Sequence, residues 1–191
     1  MTILVAGGAG YIGSQTARLL AREGFEVLVL DNLSTGRRRS VGDIPLVVGD
    51  LRDRDFLHDV FKARRITAVM HFASLIQVGE SCLKPDLYYS HNLRTTLNLL
   101  DAMIESGTNK FIFSSSAAVY GQPARTPITE DHPLAPVNPY GRTKMMVETL
   151  LKDYDLALGM RSVCLRSTRP GPTLTVWAEN ATTRRRILSP I

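Results

Sequence analysis

Apolar runs of strand length alternate along this sequence with longer segments of helical period, and no other feature limits the fold as strongly. Strand candidates are residues 2–6, 25–30, 46–49, 68–72, 110–114 and 162–165, and helix candidates are residues 12–22, 54–63, 87–105 and 139–158. Repeated strand–helix units fold around a parallel sheet, and continuously apolar strands fit a sheet covered on both faces. The sequence therefore predicts an α/β fold with a doubly wound parallel sheet. Residues 121–139 hold five prolines without a period and are predicted to form a loop.

Length and composition limit the class of protein. The chain has 191 residues, 44% of them hydrophobic, which is typical of one globular domain. Its first residues enter an apolar strand without a basic segment or a membrane-length run, so we expect no leader and no membrane partner. The two cysteines, Cys82 and Cys164, lie far apart without nearby metal-ligand spacing, so we expect free thiols, no metal and a cytoplasmic location.

The net charge of +5 does not indicate a nucleic-acid partner. Much of it comes from arginines after residue 166, and the other basic cluster, residues 37–39, follows a Ser-Thr-Gly turn. Such a cluster is more typical of a solvated loop than of a surface that follows phosphates.

A glycine-rich segment follows the first predicted strand and opens the first helix. Gly7, Gly10 and Gly13 permit a tight turn, so that a pyrophosphate can lie on the N–H groups at the helix start. Asp31 ends the second strand, where a carboxylate accepts hydrogen bonds from ribose hydroxyls and repels a 2′-phosphate. This pattern predicts an NAD site, although the glycines alone also fit a turn selected for packing, and the arginines at 37–39 could serve NADP.

Tyr140 and Lys144 stand four residues apart on a predicted helix, so both lie on one helix face. A tyrosine has an ordinary pKa of about 10, and a neighbouring cation favours its phenolate. Tyr140 is therefore a candidate general base for a sugar hydroxyl, and Ser116, at the end of the fifth strand, is a candidate hydrogen-bond partner of the same oxygen. The alternative is a solvated tyrosine and lysine at an ordinary helix start.

Several sequence blocks together resemble the UDP-glucose 4-epimerases, a family of NAD-dependent extended short-chain dehydrogenase/reductases of galactose metabolism. The blocks are residues 5–14, 31–34, 49–51, 71–73, 78–81, 114–121 and 138–141, and the resemblance covers residues 1–166. It implies an isomerase with a Rossmann-type domain that converts UDP-glucose and UDP-galactose through a 4-keto intermediate. A UDP-sugar substrate, bound NAD and a homodimer formed through residues 87–105 and 139–158 are implied as well.

The resemblance also implies roles for individual residues. Ser116, Tyr140 and Lys144 would form the catalytic set. Tyr11 and Ile12 would contact the pyrophosphate, and Asp50 and Leu51 the adenine. The remaining cofactor residues would be Gly7, Gly10, Gly13, Asp31, Asn32, Leu33, Ser34, Thr35, Gly36, Phe72, Ala73, Ser74, Asn92, Ser114, Tyr140 and Lys144.

Two departures from the family pattern and one absence bear on the activity. Ile76 stands where the family often has lysine, and Ala118 where it often has threonine. The related 4,6-dehydratases carry an Asp-Glu pair at the positions of Ala117 and Ala118, which alanine cannot replace in eliminating water. A UDP-glucose 4-epimerase is therefore favoured. The alternatives are another nucleotide-sugar epimerase, reductase or dehydratase of the superfamily, and a catalytically dead NAD-binding remnant.

The likeness breaks after Arg166. The family continues with Tyr-Phe-Asn-Ala-Ala-Gly-Ala and a small substrate domain, whereas this chain continues Ser167-Thr-Arg-Pro-Gly-Pro-Thr. Written in GC-rich codons and read one nucleotide earlier, residues 167–190 yield Phe-Asn-Ala-Ala-Gly-Ala-Asp-Pro and a family-like continuation, and the single codon of Trp177 fits. We therefore expect an NAD-binding domain at residues 1–166 and an out-of-frame tail without regular structure at residues 167–191, with the C-terminal substrate domain missing.

Overall fold

A computed structural model describes residues 2–167 and the backbone of residues 176–180. The chain divides into two compact units, one formed by Met1–Ser74 with Arg94–Ile112 and the other by Leu75–Leu93 with Phe113–Ile191. Among the described residues, no helix is both long and apolar enough to cross a membrane.

The first unit is built on four parallel strands, β1 (Thr2–Ala6), β2 (Glu26–Asp31), β3 (Leu46–Val48) and β4 (Ile66–His71). Their order in the sheet is β3-β2-β1-β4. The chain thus adds β2 and β3 on one side of β1 and then crosses to place β4 on the other side. This reversal of direction beside β1 defines a doubly wound sheet and confirms the predicted fold class.

Helices α1 (Tyr11–Arg22), α2 (Arg38–Val41) and α3 (Arg54–Ala63) follow the first three strands. The apolar residues of β1 and β2 are almost fully buried except for the partly buried Ile3, and Ala17 of α1 packs into the same cluster. Helix α3 starts where Asp53 accepts a hydrogen bond from the Phe56 N–H at 3.0 Å, an N-cap that satisfies a free backbone donor. Each helix therefore starts just beyond a strand and covers the sheet through small or apolar residues.

The second unit contains α4 (Val78–Leu83), a short 3-10 helix (Ala117–Tyr120), α6 (Pro139–Leu158), β6 (Arg161–Ser167) and β7 (Val176–Asn180). Helix α5 (Pro85–Ser106) and strand β5 (Lys110–Ser116) each contribute residues to both units. Asn138 caps α6 by accepting a hydrogen bond from the Gly141 N–H at 2.8 Å, and Gly159 ends the helix with φ 66°. This start places Tyr140 in the first turn of the helix.

Most predicted elements are confirmed to within two residues, and residues 121–138 contain no helix or strand. The prediction of no regular structure after residue 166 is wrong at Val176–Asn180, because β7 pairs antiparallel with β6 there. The rest of the tail lies outside the described residues. The prediction of a loop at residues 37–39 is also wrong, since Arg38 and Arg39 open α2. Helices of four and six residues, such as α2 and α4, are too short to show a helical period.

Candidate active site

The glycine-rich turn of the first unit brings backbone against backbone. Gly7 has φ 78°, and its N–H donates to Leu30 O at 2.8 Å. A methyl group on Gly7 would overlap the backbone of Ala73, and one on Gly13 would overlap the carbonyl oxygen of Gly7. Any other residue at either position would force the turn apart, so glycine is required by the close approach itself.

Asp31 connects this turn to the loop after β2. One of its carboxylate oxygens accepts a hydrogen bond from the Ala9 N–H at 2.9 Å, and the other accepts one from the Leu33 N–H at 2.8 Å. Leu33 has φ 58°, a left-handed conformation that this hydrogen bond supports. Because each oxygen has a second lone pair, Asp31 retains acceptors for a ligand hydroxyl.

The loop after β3 carries a second carboxylate. Asp50 accepts two hydrogen bonds from the Arg52 side chain, at 3.0 and 2.8 Å, and one from Asn32 at 3.1 Å. The hydrogen bond from Arg52, above all, holds the Asp50 pKa well below its ordinary value. Asp50 is thus an ionised and oriented acceptor in the pH range of enzymes. The neighbouring Leu51 is buried, and its carbonyl accepts a hydrogen bond from Asn98 at 3.0 Å.

The residues of the first unit fit the adenosine diphosphate part of NAD. Gly10 caps α1 without a side chain, and the first turn of the helix holds no acidic residue, so the N–H groups there face no negative charge from the helix itself. The cradle formed by Gly7 and Gly13 excludes a Cβ, as a closely approaching pyrophosphate requires. The predicted cofactor residues of this unit all follow the carboxyl ends of β1 to β4, namely residues 7–13, 31–36, 50–51 and 72–74.

Tyr140 and Lys144 lie on the buried face of α6 in the second unit, with 8% and 4% of their surface exposed. The Lys144 amine donates to the Ser114 carbonyl at 2.9 Å and lies 4.7 Å above the ring of Phe113. Its distance from the centre of the Tyr140 ring is 5.8 Å. The helix spacing therefore does bring a cation beside the phenol ring, with β5 on its other side.

Burial opposes charge on both groups. Loss of hydration raises the pKa of Tyr140, while its hydrogen bond with Ser116 acts in the opposite direction. Loss of hydration lowers the pKa of Lys144 from 10.5 to about 7, and the nearby charge of Glu148 partly restores it. Burial thus disfavours the phenolate form of Tyr140 and the ammonium form of Lys144. Further positive charge nearby would favour the phenolate.

Two other predicted residues of the second unit are fixed by neighbours. Ser116 accepts a hydrogen bond from the Ala118 N–H at 3.2 Å and caps the 3-10 helix. The Asn92 amide accepts from the Leu75 N–H at 2.9 Å and donates to Leu75 O and Thr143 Oγ1, each at 3.1 Å. The Asn92 amide ties the segment after β4 to α6, and its predicted contact with the cofactor stays a prediction.

Sequence reasoning missed a buried charged network on the same helix. Glu148 forms an ion pair with Arg166 of β6 at 2.6 Å, and both side chains are 3% exposed or less. Ser115 donates to the same carboxylate, and Arg166 also donates to the Tyr120 hydroxyl at 2.9 Å. The available signal was the position of Glu148, four residues after Lys144 on the same face.

No group of three or more potential metal ligands lies close together among the side chains that the structure describes.

The chain is similar to known proteins. The model of the NAD dependent epimerase/dehydratase family matches residues 3–180. The UDP-glucose 4-epimerase of Rhizobium meliloti (strain 1021) is 49% identical over 164 residues, which are 86% of this chain and 50% of that protein. The chain thus spans about half the length of the curated relatives it matches.

Solved structures give the same likeness. A crystal structure of UDP-glucose 4-epimerase from Brucella ovis in complex with NAD matches with a TM-score of 0.86 and 46% identity, over 88% of this chain and 52% of that one. The UDP-glucose 4-epimerase from Bifidobacterium longum in complex with NAD+ and UDP matches with a TM-score of 0.83 and 39% identity, over 87% and 52%.

Replacing Lys144 by Met should change the pH dependence of stability. The Lys144 pKa is about 7 in the folded chain and near its ordinary 10.5 when unfolded. Between these values the unfolded state binds more protons, so the folded state gains stability as pH rises. The free energy of unfolding of the unsubstituted chain, measured in urea, should rise across this window relative to Lys144→Met. The exposed Lys152, replaced by Met, should leave the profile unchanged. Parallel pH profiles for the unsubstituted chain and the Lys144→Met variant would contradict a Lys144 pKa lowered by burial.

Proposed function

The chain belongs to the NAD dependent epimerase/dehydratase family, and on that premise we propose that it is the cofactor-binding part of an enzyme that epimerises UDP-sugars at C4. The substrate pair is UDP-glucose and UDP-galactose. The observation that carries the proposal is the arrangement of Ser116, Tyr140 and Lys144 in a chain nearly half identical to UDP-glucose 4-epimerases.

In this proposal the first unit binds NAD. The start of α1 binds the pyrophosphate, the Asp31 carboxylate accepts from the ribose hydroxyls, and Asp50 and Leu51 bind the adenine. A second phosphate on the ribose would meet the negative charge of Asp31, which favours NAD over NADP. When bound, NAD supplies reversible hydride exchange with C4 of the sugar.

The second unit supplies the proton chemistry. Tyr140 takes the proton of the sugar 4-hydroxyl and later returns it, so no net acid or base is consumed. A charged Lys144 amine favours the phenolate. Ser116, which is hydrogen-bonded to Tyr140 in this structure, also donates a hydrogen bond to the oxygen of the sugar 4-hydroxyl. Tyr140 and Lys144 would lie beside the bound cofactor, whose positive charge would add to that of Lys144 and offset the cost of burying the phenolate.

The residues after Ser116 favour epimerisation over dehydration. Elimination of water needs an acid and a base beyond the tyrosine, and the chain has Ala117 and Ala118 there. The backbone at Ala118 packs closely against the start of α6, since a Cβ on Gly141 would lie 2.6 Å from Ala118 O. Alanine methyl groups at these two positions therefore leave no acid or base to assist elimination.

The activity test uses the protein encoded with the family reading frame restored, incubated with UDP-galactose. Formation of UDP-glucose is expected, and Tyr140→Phe should lower kcat by roughly a hundredfold or more, because general base catalysis is lost. Tyr154→Phe, on the same helix, is the matched control and should retain activity. Accumulation of a keto product would instead indicate a dehydratase, net reduction of a keto sugar a reductase, and retention of NAD without turnover a non-catalytic module.

We propose that residues 167–191 are translated from a shifted reading frame, with residues 1–166 forming the NAD-binding domain. The support is the family-like sequence read one nucleotide earlier, including at the single-codon Trp177. Resequencing the gene across the codons for residues 161–191 should recover Tyr-Phe-Asn-Ala-Ala-Gly after Arg166. An unchanged sequence that is also found in the messenger RNA would exclude a sequencing error and leave a real lesion.

We propose that the complete protein is a homodimer formed through α5 and α6. Apolar side chains such as Leu97 and Ile104 of α5 and Met146 of α6 are more than one-third exposed in this chain. Sedimentation velocity of the frame-restored protein should give twice the monomer mass, and Ile104→Asp should shift it towards the monomer. A monomer without any substitution would contradict this proposal.

We also place the protein in the cytoplasm. Cys82 and Cys164, the two cysteines of the chain, lie far apart in the sequence without metal-ligand spacing, a usage typical of proteins in a reducing compartment. Cell fractionation tests this location, and recovery outside the cytoplasmic fraction would contradict it.

A further inference from the structure

Lys144 occupies a position that is unfavourable for a cation. Its side chain is almost completely buried between α6 and β5, where the Ser114 carbonyl is a neutral acceptor and the rings of Phe113 and Tyr140 provide weak attraction. None of these groups carries a full negative charge. A buried amine in such surroundings loses its proton readily, and a neutral amine does nothing to favour a phenolate.

Glu148 is the charged residue that acts on this amine. It lies four residues after Lys144 on α6, and the buried face of the helix also includes Tyr140, Thr143 and Val147. Residues at this spacing are neighbours on a helix surface. The Glu148 charge raises the Lys144 pKa against the loss of hydration, although its carboxylate forms its ion pair with Arg166.

Arg166 and Ser115 hold the Glu148 carboxylate in a fixed orientation. The Arg166 guanidinium donates to both Glu148 oxygens, at 3.0, 3.2 and 2.6 Å, in the paired geometry that suits a carboxylate. Ser115 of β5 donates to Oε1. Because the arginine and the serine fix both carboxylate oxygens, the position of Glu148 relative to Lys144 on the same helix face is fixed as well.

The titratable and charged groups around this set come from several elements. From the 3-10 helix, the Tyr120 hydroxyl accepts from Arg166 and its ring lies 5.1 Å below the guanidinium. His132 of the following loop contacts the edge of Tyr120. From α5, Tyr88 interacts electrostatically with Tyr140 and donates to Glu80 of α4 at 3.0 Å. Glu148 is the member of this set whose charge raises the Lys144 pKa.

We propose that Glu148, held by Arg166, is a positioning residue that keeps the buried Lys144 amine protonated near neutral pH. Glu148 acts through Lys144 and not on the substrate. The consequence for catalysis, a Tyr140 phenolate favoured by a charged lysine, rests on the proposed function. The effect on Lys144 itself does not, because it belongs to the folded chain without a ligand.

The test is an NMR titration of the Lys144 side-chain amine in the 191-residue chain, with the signal assigned by its loss in Lys144→Met. The midpoint is expected near pH 7 in the unsubstituted chain. Glu148→Gln should lower it by about one unit, the size of shift that a neighbouring charge produces. Glu148→Asp keeps the charge and should keep the midpoint closer to that of the unsubstituted chain.

Glu148→Gln leaves Arg166 without its ion-pair partner and could prevent folding. The double variant Glu148→Gln with Arg166→Met removes the pair together, which is tolerated far better than an isolated buried charge. It should fold and still show the lowered midpoint. A midpoint equal to that of the unsubstituted chain in this variant would overturn the proposal and leave the pair with a structural role only.

The titration separates this proposal from the proposed function. A lowered midpoint in a protein that does not epimerise UDP-sugars would support the role of Glu148 and contradict the epimerase. An unchanged midpoint in an active epimerase would contradict the role of Glu148 and support the proposed function.

Discussion

The burial of the Lys144 amine is the constraint on which the second unit depends. An ammonium group removed from water is stable only where oxygen acceptors, aromatic faces or negative charges replace its hydration. The Ser114 carbonyl and the Phe113 ring come from β5, the Tyr140 ring and Glu148 from α6, and Arg166 from β6. The ends of β5 and β6 must therefore keep their positions relative to α6 for Lys144 to keep its charge.

The first unit prepares its binding site by a different physical means. Its turn after β1 depends on the absence of side chains, because Gly7 and Gly13 touch neighbouring backbone atoms directly. The Asp31 carboxylate then fixes the turn by accepting hydrogen bonds from Ala9 and Leu33. Backbone donors held in this way change position little when an anion binds. The buried Lys144 ammonium of the second unit, by contrast, needs stabilising neighbours throughout the folded state.

The sequence predicted the parts of the fold and site that depend on local spacing. The alternation of strands and helices, the glycines after β1 and the Tyr140–Lys144 pair each occupy one short segment, so the period of the helix or strand decides their placement. Glu148 and Arg166 lie 18 residues apart on different elements, and nothing in their local sequence indicates that they pair. Asn92 shows the same limit, since its contacts with Leu75 and Thr143 depend on how the chain returns to this place. Strand β7 was missed because its residues show no strand periodicity, and its pairing with β6 depends on tertiary structure.

The position of Arg166 connects the charged network with the proposed change of reading frame. In the proposed reading frame, Arg166 is the last residue before the shift, so the Glu148–Arg166 pair precedes the altered segment. The groups that set the charge of Lys144 therefore all come from the part of the chain that resembles the family. The substrate diphosphate, by contrast, would be held by family residues that follow the shift. Under the proposed function, proton chemistry and substrate binding would thus be encoded on opposite sides of this point, and the proposed change of frame would affect the second while leaving the first in place.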